Sequence, residues 1–496
     1  MTNVLIRADA APSIGGGHVM RCLALAGALV DRGAQVTFLS RAETLATVPH
    51  LARSGFRVAV VEGGEADLVM RLETERAGAT DLVIIDSYAL GAEDETRFRR
   101  LAKRIAVIDD LANRLHDCDV LLDHNLGRTP EDYCRLVPPH ATVLAGPRYA
   151  LLRPEFARLR YAALARRAAS GRLERLLVSL GLTDLGGITG EVVGILLAAD
   201  LGLTIDVVVG PQAESLPYLQ AVARDNPHLA VHVDPPDIAS IMAAADLAVG
   251  AAGSSSWERC CLGLPTVIVV LAGNQEEVAT KLEQANIARR SSPAMVCSCV
   301  RELMNDIVGL RRIVTGSAAM CDGGGTDRVA RILLACCKVG LRQACPNDSR
   351  FLLDLRNEPT ALAMSHNPDV VSEQEHSKWF MRQLSSPHHR IHIVEIQGRA
   401  VGVFRLDREG DRAVASINLV PDARHGGIGT ASIALGCEIA LSTAFVTRID
   451  AVIKVGNEAS AHAFAKAGFV EYGTVDGCHK MVLEAKSAVS ARQRGY

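Results

Sequence analysis

The chain is 496 residues long, 49% hydrophobic, with 53 basic against 56 acidic side chains. That length supports two to four domains with their own cores, and the near-balanced charge gives no reason to invoke nucleic acid or an anionic membrane as a partner. Small-molecule ligands are the expectation. The thirteen cysteines are scattered: Cys260-Cys261 and Cys336-Cys337 are adjacent, and Cys297-x-Cys299 lacks a second half at zinc spacing. Reduced structural thiols in a cytoplasmic protein follow. Met1-Thr-Asn runs straight into an apolar segment without a basic start, so no signal peptide is expected. The apolar stretch 426–446 carries Glu438 and reads as a buried helix, not a membrane span.

The first region alternates apolar strands (4–8, 35–40, 58–61, 82–86, 104–109 and 120–123) with helical segments, which predicts a parallel sheet covered by helices. Its most informative stretch is Gly15-Gly16-Gly17-His18 between the first strand and a helix. Glycines allow close backbone approach, and the helix start suits an anion. His18 sits at the positive end of the helix dipole, which disfavours imidazolium and favours a ring able to accept a proton. The same residues also suit a tight turn with a capping histidine. A dinucleotide fingerprint is excluded, because the sixth residue from Gly15 is Met20. Polar residues gather at the strand ends: Asp86 with Tyr88, and Asp109 with Asp110.

A second set of strands (173–180, 203–209, 229–233, 247–250 and 266–271) predicts another doubly wound lobe facing the first. After Asp246 comes Gly253-Ser254-Ser255-Ser256-Trp257-Glu258, and further on Asn274-Gln275. Small residues and hydroxyls at a helix start offer donors to a pyrophosphate, and Glu258 could accept from both ribose hydroxyls. A serine cap followed by an acid is the simpler alternative.

Over about the first 335 residues the motifs resemble the UDP-sugar hydrolases of the pseudaminic acid pathway, relatives of the two-lobed (GT-B-like) glycosyltransferases. They run in order: Arg7-Ala-Asp with Gly15 to His18, Asp86-Ser-Tyr88, Asp109-Asp110-Leu, Gly146-Pro-Arg-Tyr149 and Arg153-Pro-Glu-Phe156. Gly181-Leu-Thr-Asp184, Gly253-Ser-Ser with Glu258, and Asn274-Gln275 complete the set. The resemblance implies UDP in the second lobe, sugar between the lobes and His18 activating water at the anomeric carbon. The implied substrate contacts are Arg7, Ser13, Gly17, Tyr88, Asp109, Arg153, Thr183, Asp184, Gly253, Ser254, Ser255, Glu258, Asn274 and Gln275. Leu182 replaces the usual glycine of its loop. No metal is expected, since no carboxylate cluster accompanies the UDP motif.

A different pattern follows. A helix through 379–380 leads to strands 392–396, 400–406 and 413–420, then Arg424-His425-Gly426-Gly427-Ile428-Gly429-Thr430 and a long apolar helix. Strand 448–455 is followed by Asn457-x-x-Ser460-x-x-x-Phe464-x-Lys466-x-Gly468-Phe469. Together these resemble the GNAT N-acetyltransferase family over about 348–485. The resemblance implies acetyl-CoA as co-substrate, held by Leu419, Val420, Arg424, His425, Gly426, Gly427, Ile428, Gly429, Thr430, Asn457, Ser460 and Phe464. Many members place a tyrosine, as acid for the thiolate, where this chain has Ala465; His462, His425 and Tyr472 are weaker candidates. Glu375, His376 and Trp379 are candidates to face the amine.

The expected organisation is an α/β chain of two Rossmann-like lobes, 1–158 and 159–338, a linker at 339–347, a mixed α/β acetyltransferase domain at 348–486 and a tail at 487–496. The expected function is removal of UDP from a UDP-linked diacetamido-trideoxy sugar together with N-acetylation of its UDP-4-amino precursor. A glycosyltransferase with an accessory acetyltransferase, or a sugar-nucleotide sensor governing a protein acetyltransferase, are the rivals.

Overall fold

The computed structural model describes residues 2–12, 14–74, 80–169, 172–365, 367–424, 426–443 and 445–484. The chain divides into two compact units, the first ending at Ala330 and the second beginning at Arg331. No described helix is long and apolar enough to cross a membrane.

The first unit holds two sheets. One comprises β1 (Thr2–Ala8), β2 (Ala34–Ser40), β3 (Arg57–Val60), β4 (Thr80–Asp86), β5 (Ala102–Ile108), β6 (Val120–Asp123) and β7 (Thr142–Ala145), in the order β3-β2-β1-β4-β5-β6-β7. From β3 to β6 every pairing is parallel. Val4, Ile6, Leu82 to Ile85 and Ile105 to Ile108 are buried, as strands covered on both faces must be. The chain leaves β1 toward β2 on one side and returns to β4 on the other, so the carboxyl ends of β1 and β4 flank a switch point, the usual ligand crevice of such sheets. The helix Gly17–Val30 starts there, burying Val19, Cys22, Leu25, Ala26 and Leu29 at helical spacing.

The second sheet comprises β8 (Arg175–Ser179), β9 (Thr204–Val209), β10 (Leu229–Val233), β11 (Leu247–Ala251), β12 (Thr266–Val269) and β13 (Arg289–Ser291), all parallel, in the order β10-β9-β8-β11-β12-β13. Its switch point lies between β8 and β11, where the loops carrying Gly181 to Asp184 and Gly253 to Ser255 emerge. The helix Pro154–Ala169 is fastened to this lobe: Arg167 donates to the carbonyls of Met242, Ala245 and Leu262, each at 2.8 Å.

In the second unit, β14 (Gly340–Gln343), β15 (His389–Ile396), β16 (Arg399–Glu409), β17 (Arg412–Leu419), β18 (Arg448–Lys454), β19 (Val470–Val475) and β20 (Cys478–Glu484) form one mixed sheet ordered β14-β15-β16-β17-β18-β20-β19. The segment expected to link domains, 339–347, contains β14, the edge strand that pairs antiparallel with β15. Among the described residues of this sheet, parallel pairing joins only β17 to β18, and it lasts three residues, Arg412 to Val414 against Arg448 to Asp450. Among the described residues no pairing to β18 follows, so 415–419 pair with β16 alone.

Candidate active sites

At the first switch point, His18 is the second residue of its helix and is buried with Asp86, the last residue of β4. His18 Nδ1 lies 2.5 Å from Asp86 Oδ1. Arg21, one helical turn on, reaches the same carboxylate with Nε at 2.6 Å from Oδ2 and Nη2 at 2.7 Å from Oδ1. Burial alone would raise the Asp86 carboxyl; Arg21 and His18 outweigh it and hold the group far below the usual carboxylate range. An ionised Asp86 fixes the ring through Nδ1, and no described residue bonds Nε2. Tyr88 meets the ring edge-on at 4.5 Å between centroids. Burial and the neighbouring Asp110 raise its phenol, so it stays protonated.

Arg21 Nη1 also reaches Asp110 Oδ2 at 3.0 Å and lies 3.5 Å from His124 Nε2. Burial and Arg21 push His124 down to about 4, so it is neutral near pH 7. Among the described residues, two buried atoms of this nest, Asp110 Oδ1 and His124 Nδ1, have no hydrogen-bond partner. Asp86 and Asp110 are among the polar residues that the sequence gathers at strand ends, without a defined contact for either, whereas no sequence motif marks Arg21 or His124. The i, i+3 spacing of His18 and Arg21, which places both on one helix face, was the available signal.

The second-lobe loops close on this nest. A Cβ at Gly17 would lie 3.2 Å from Ser254 Oγ, and one at Gly16 would lie 2.9 Å from Val48 Cγ2 and 3.2 Å from Leu182 Cδ1. The glycines therefore let the first-lobe loop approach both second-lobe loops, with Gly15 turning the chain at φ +81°. Across the same gap the His124 ring meets Trp257 edge-on at 6.4 Å.

In the second lobe, Gly253, Ser254 and Ser255 are half-buried at the start of the helix Ser255–Cys261, with Glu258 in its first turn. Burial raises the Glu258 carboxyl, while Arg153 and Arg259 oppose that shift; Arg153 itself pairs with Glu155 at 3.2 Å. Gln275 accepts from the Leu271 backbone at 3.0 Å, and Asn274 belongs to the short turn Gly273–Gln275. Thr183 is half-buried in its loop.

Other expected contacts face inward. Arg7 is held by Glu65 at 2.8 Å and Asp9 at 2.7 Å. Asp109 is enclosed by Arg114 at 2.7 Å, the Ala112 amide at 2.8 Å and the Tyr133 hydroxyl at 3.0 Å. Asp184, at φ +45°, accepts from the amides of Thr189 and Ser215 at 2.8 and 3.0 Å, fixing its loop. Ser13 lies outside the described residues. Among the described residues no group of three or more His, Cys, Asp or Glu is placed to hold a metal ion.

In the second unit, Gly427 caps the helix Ile428–Ser442 at φ +77°, and neither a capping side chain nor an acid occupies that helix's first turn. The amides of Ile428, Gly429 and Thr430 thus suit a phosphate, with Gly426 exposed beside them. Arg424 is turned back on its own loop, donating to the Leu419 carbonyl at 3.0 Å and to Glu358 at 2.7 Å, while the Val420 amide bonds Val401 at 2.9 Å. His425 lies outside the described residues. Asn457 caps its helix by accepting from the Ser460 amide at 3.2 Å, and Phe464 is buried against Phe469. Opened strands β17 and β18 leave amides for a carbonyl oxygen next to this cradle.

Several candidates for acetyl-transfer chemistry have other duties. Glu375 completes a capping box with Ser372, and His376 is buried between Trp379 and Phe380. Exposed Tyr472 lies under the Arg448 guanidinium, and His462 is exposed on its helix.

Residues 338–470 match the family model described as the acetyltransferase (GNAT) domain. The chain is 26% identical over 298 residues to the UDP-2,4-diacetamido-2,4,6-trideoxy-beta-L-altropyranose hydrolase of Campylobacter jejuni, covering 56% of this chain and 95% of that protein. It is 23% identical over 396 residues to an uncharacterized protein of Methanocaldococcus jannaschii, covering 76% of this chain and 78% of that one. Among solved structures, a spermidine N-acetyltransferase from Vibrio cholerae in complex with CoA and spermine is 19% identical, over 30% of this chain and 98% of that one, with a TM-score of 0.28. The chain therefore joins a GNAT acetyltransferase domain at its carboxy-terminal end to a region with two Rossmann-like lobes, and it is similar to a UDP-sugar hydrolase.

Proposed function

We propose that the chain is a bifunctional nucleotide-sugar enzyme of pseudaminic acid synthesis. Its first two lobes hydrolyse UDP-2,4-diacetamido-2,4,6-trideoxy-L-altrose, and its GNAT domain N-acetylates the UDP-4-amino sugar that precedes it, using acetyl-CoA. The observation that carries the hydrolytic reading is His18, ring-locked through Nδ1 by Asp86 with Nε2 unbonded, at the place where the Ser254 loop approaches.

In this reading a water on His18 Nε2 attacks the anomeric carbon. The bond from that carbon to the β-phosphate oxygen breaks, UDP leaves with the bonding pair, and the water's proton passes to Nε2. UDP is a good leaving group, so activating water is the main task, worth about 10²- to 10⁴-fold for a positioned base. Ser254 and Ser255 donate to the charge growing on the phosphate, and Glu258 accepts from the ribose hydroxyls. Tyr88, Asn274 and the orphaned atoms of Asp110 and His124 serve the sugar, whose acetamido groups offer both donors and acceptors.

In the GNAT domain the cradle at Gly426 to Thr430 receives the coenzyme A pyrophosphate and the free edge of β17 holds the acetyl carbonyl. The amine attacks the thioester carbon, the carbon–sulfur bond breaks, and the thiolate departs. Ala465 stands in the tyrosine position, so the proton that the attacking amine sheds passes by way of solvent to the departing thiolate.

A mass-spectrometric time course with acetyl-CoA and the UDP-4-amino sugar tests both halves. The reading requires an acetylated UDP-sugar to appear first and free UDP with reducing diacetamido sugar to follow. Absence of both products overturns it, and sugar transfer only when an acceptor is added supports the glycosyltransferase rival.

A further inference from the structure

Arg259 is 1% exposed on the helix Ser255–Cys261, and among the described residues no carboxylate lies within ion-pair distance of it. Its Nη1 donates to Ser255 Oγ at 3.0 Å, and its Nη2 to the Ala251 carbonyl at 2.7 Å and to Ser256 Oγ at 3.1 Å, while Nε has no partner. Room for the guanidinium depends on Gly250, where a Cβ would fall 2.6 Å from Nη1. Burial lowers this group to about 10. The neighbouring Glu258 opposes that shift without cancelling it; a desolvated cation with no direct ion-pair partner is costly in a folded protein, and the cost falls when an anion settles nearby.

The bond to Ser255 indicates where that anion sits. A serine hydroxyl has one proton, and an oxygen that already accepts from a guanidinium is polarised to donate that proton elsewhere. Ser255 is half-buried beside Gly253 and Ser254, so its proton is free for a ligand on that loop.

We infer that Arg259 is a positioning residue for the diphosphate of the bound nucleotide: it stands behind the loop, orients and polarises Ser255, and supplies the charge that two phosphates answer. The inference rests on the nucleotide reading of this lobe. It adds that affinity arises from the diphosphate through a residue that does not touch it.

Calorimetric titration of the full chain with UDP and with uridine tests this. Arg259→Met is expected to weaken UDP binding about tenfold or more, the size of a charge-backed hydrogen bond, and to leave uridine binding within about twofold. Retained uridine binding shows that the variant is folded. Arg259→Lys, which keeps the charge in a gentler substitution, is expected to lie between wild type and Arg259→Gln in its ratio of uridine to UDP dissociation constants. Ser255→Ala is expected to lose UDP affinity selectively, and to cost much less in the Arg259→Met background than alone. Equal loss of UDP and uridine in the Met or Gln variant, or an unchanged ratio across the series, would overturn the inference while leaving the nucleotide reading intact. Failure of the wild-type chain to bind UDP would remove the nucleotide reading itself.

Discussion

The two switch points of the first unit treat buried charge in opposite ways. At the first, Asp86 is met on its oxygens by Arg21 and by the His18 ring, and Arg21 is met again by Asp110, so each of these charges has a direct partner before any ligand arrives. At the second, no carboxylate among the described residues lies within ion-pair distance of Arg259, and the proton affinity of the neighbouring, half-buried Glu258 is raised. A cluster whose charges are paired internally holds a ring in place; a cation without an ion-pair partner can answer charge from outside. In the proposed reading, this contrast fits a first lobe that activates water and a second that receives the diphosphate.

The largest effect should come from His18→Ala, which is expected to lower UDP release by about 10²- to 10⁴-fold with UDP affinity unchanged. Equal loss of UDP affinity in calorimetry would erase the distinction between the switch points. Asp86→Asn comes next. It leaves Arg21 half-answered and the ring unfixed, so kcat should fall by about 10²-fold with little change in KM, and the melting temperature should drop, because breaking a buried pair costs about 3–5 kcal/mol. A change in KM alone would mean that Asp86 serves binding and not the histidine.

Gly427→Val sharpens the comparison from the other unit, where the anion cradle is backbone. A branched residue at φ +77° is strained, so the KM for acetyl-CoA should rise about tenfold while UDP release from the diacetamido substrate is untouched. Loss of both activities would show that the two catalytic functions are not independent.

The last effect is read in stability and not in activity. His124 is held down to about 4 in the folded state against an ordinary value near 6.5, so the unfolded chain binds the extra proton between those limits. Its contribution is present above pH 6.5 and is lost as the pH falls toward 4, up to about 3 kcal/mol. Denaturant titrations of wild type and His124→Gln over that range should show a flatter acid limb in the variant; parallel limbs would contradict the assignment.

Much of the fold is legible in the residues. Apolar runs such as Leu82 to Ile85 and Val207 to Val209 are buried on both faces and announce parallel strands. Strand β13, Arg-Arg-Ser, and β14, Gly-Leu-Arg-Gln, carry no such pattern, because both lie at sheet edges where pairing, not burial, defines them. The site divides along similar lines. His18 follows from its glycine loop, yet its tie to Asp86 spans 68 residues and exists only once β1 and β4 lie side by side. Arg7, Asp109 and Asp184 mark the opposite limit: they are polar residues at strand ends, and the fold spends their charges on holding loops.

The central claim is that water, held by His18, attacks carbon and not phosphorus. Hydrolysis of the UDP-diacetamido sugar by the full chain in ¹⁸O-water, read by mass spectrometry, tests it most directly. The account predicts the heavy oxygen on the anomeric position of the released sugar and none in UDP. Label in the β-phosphate of UDP, or no release at all, would contradict it.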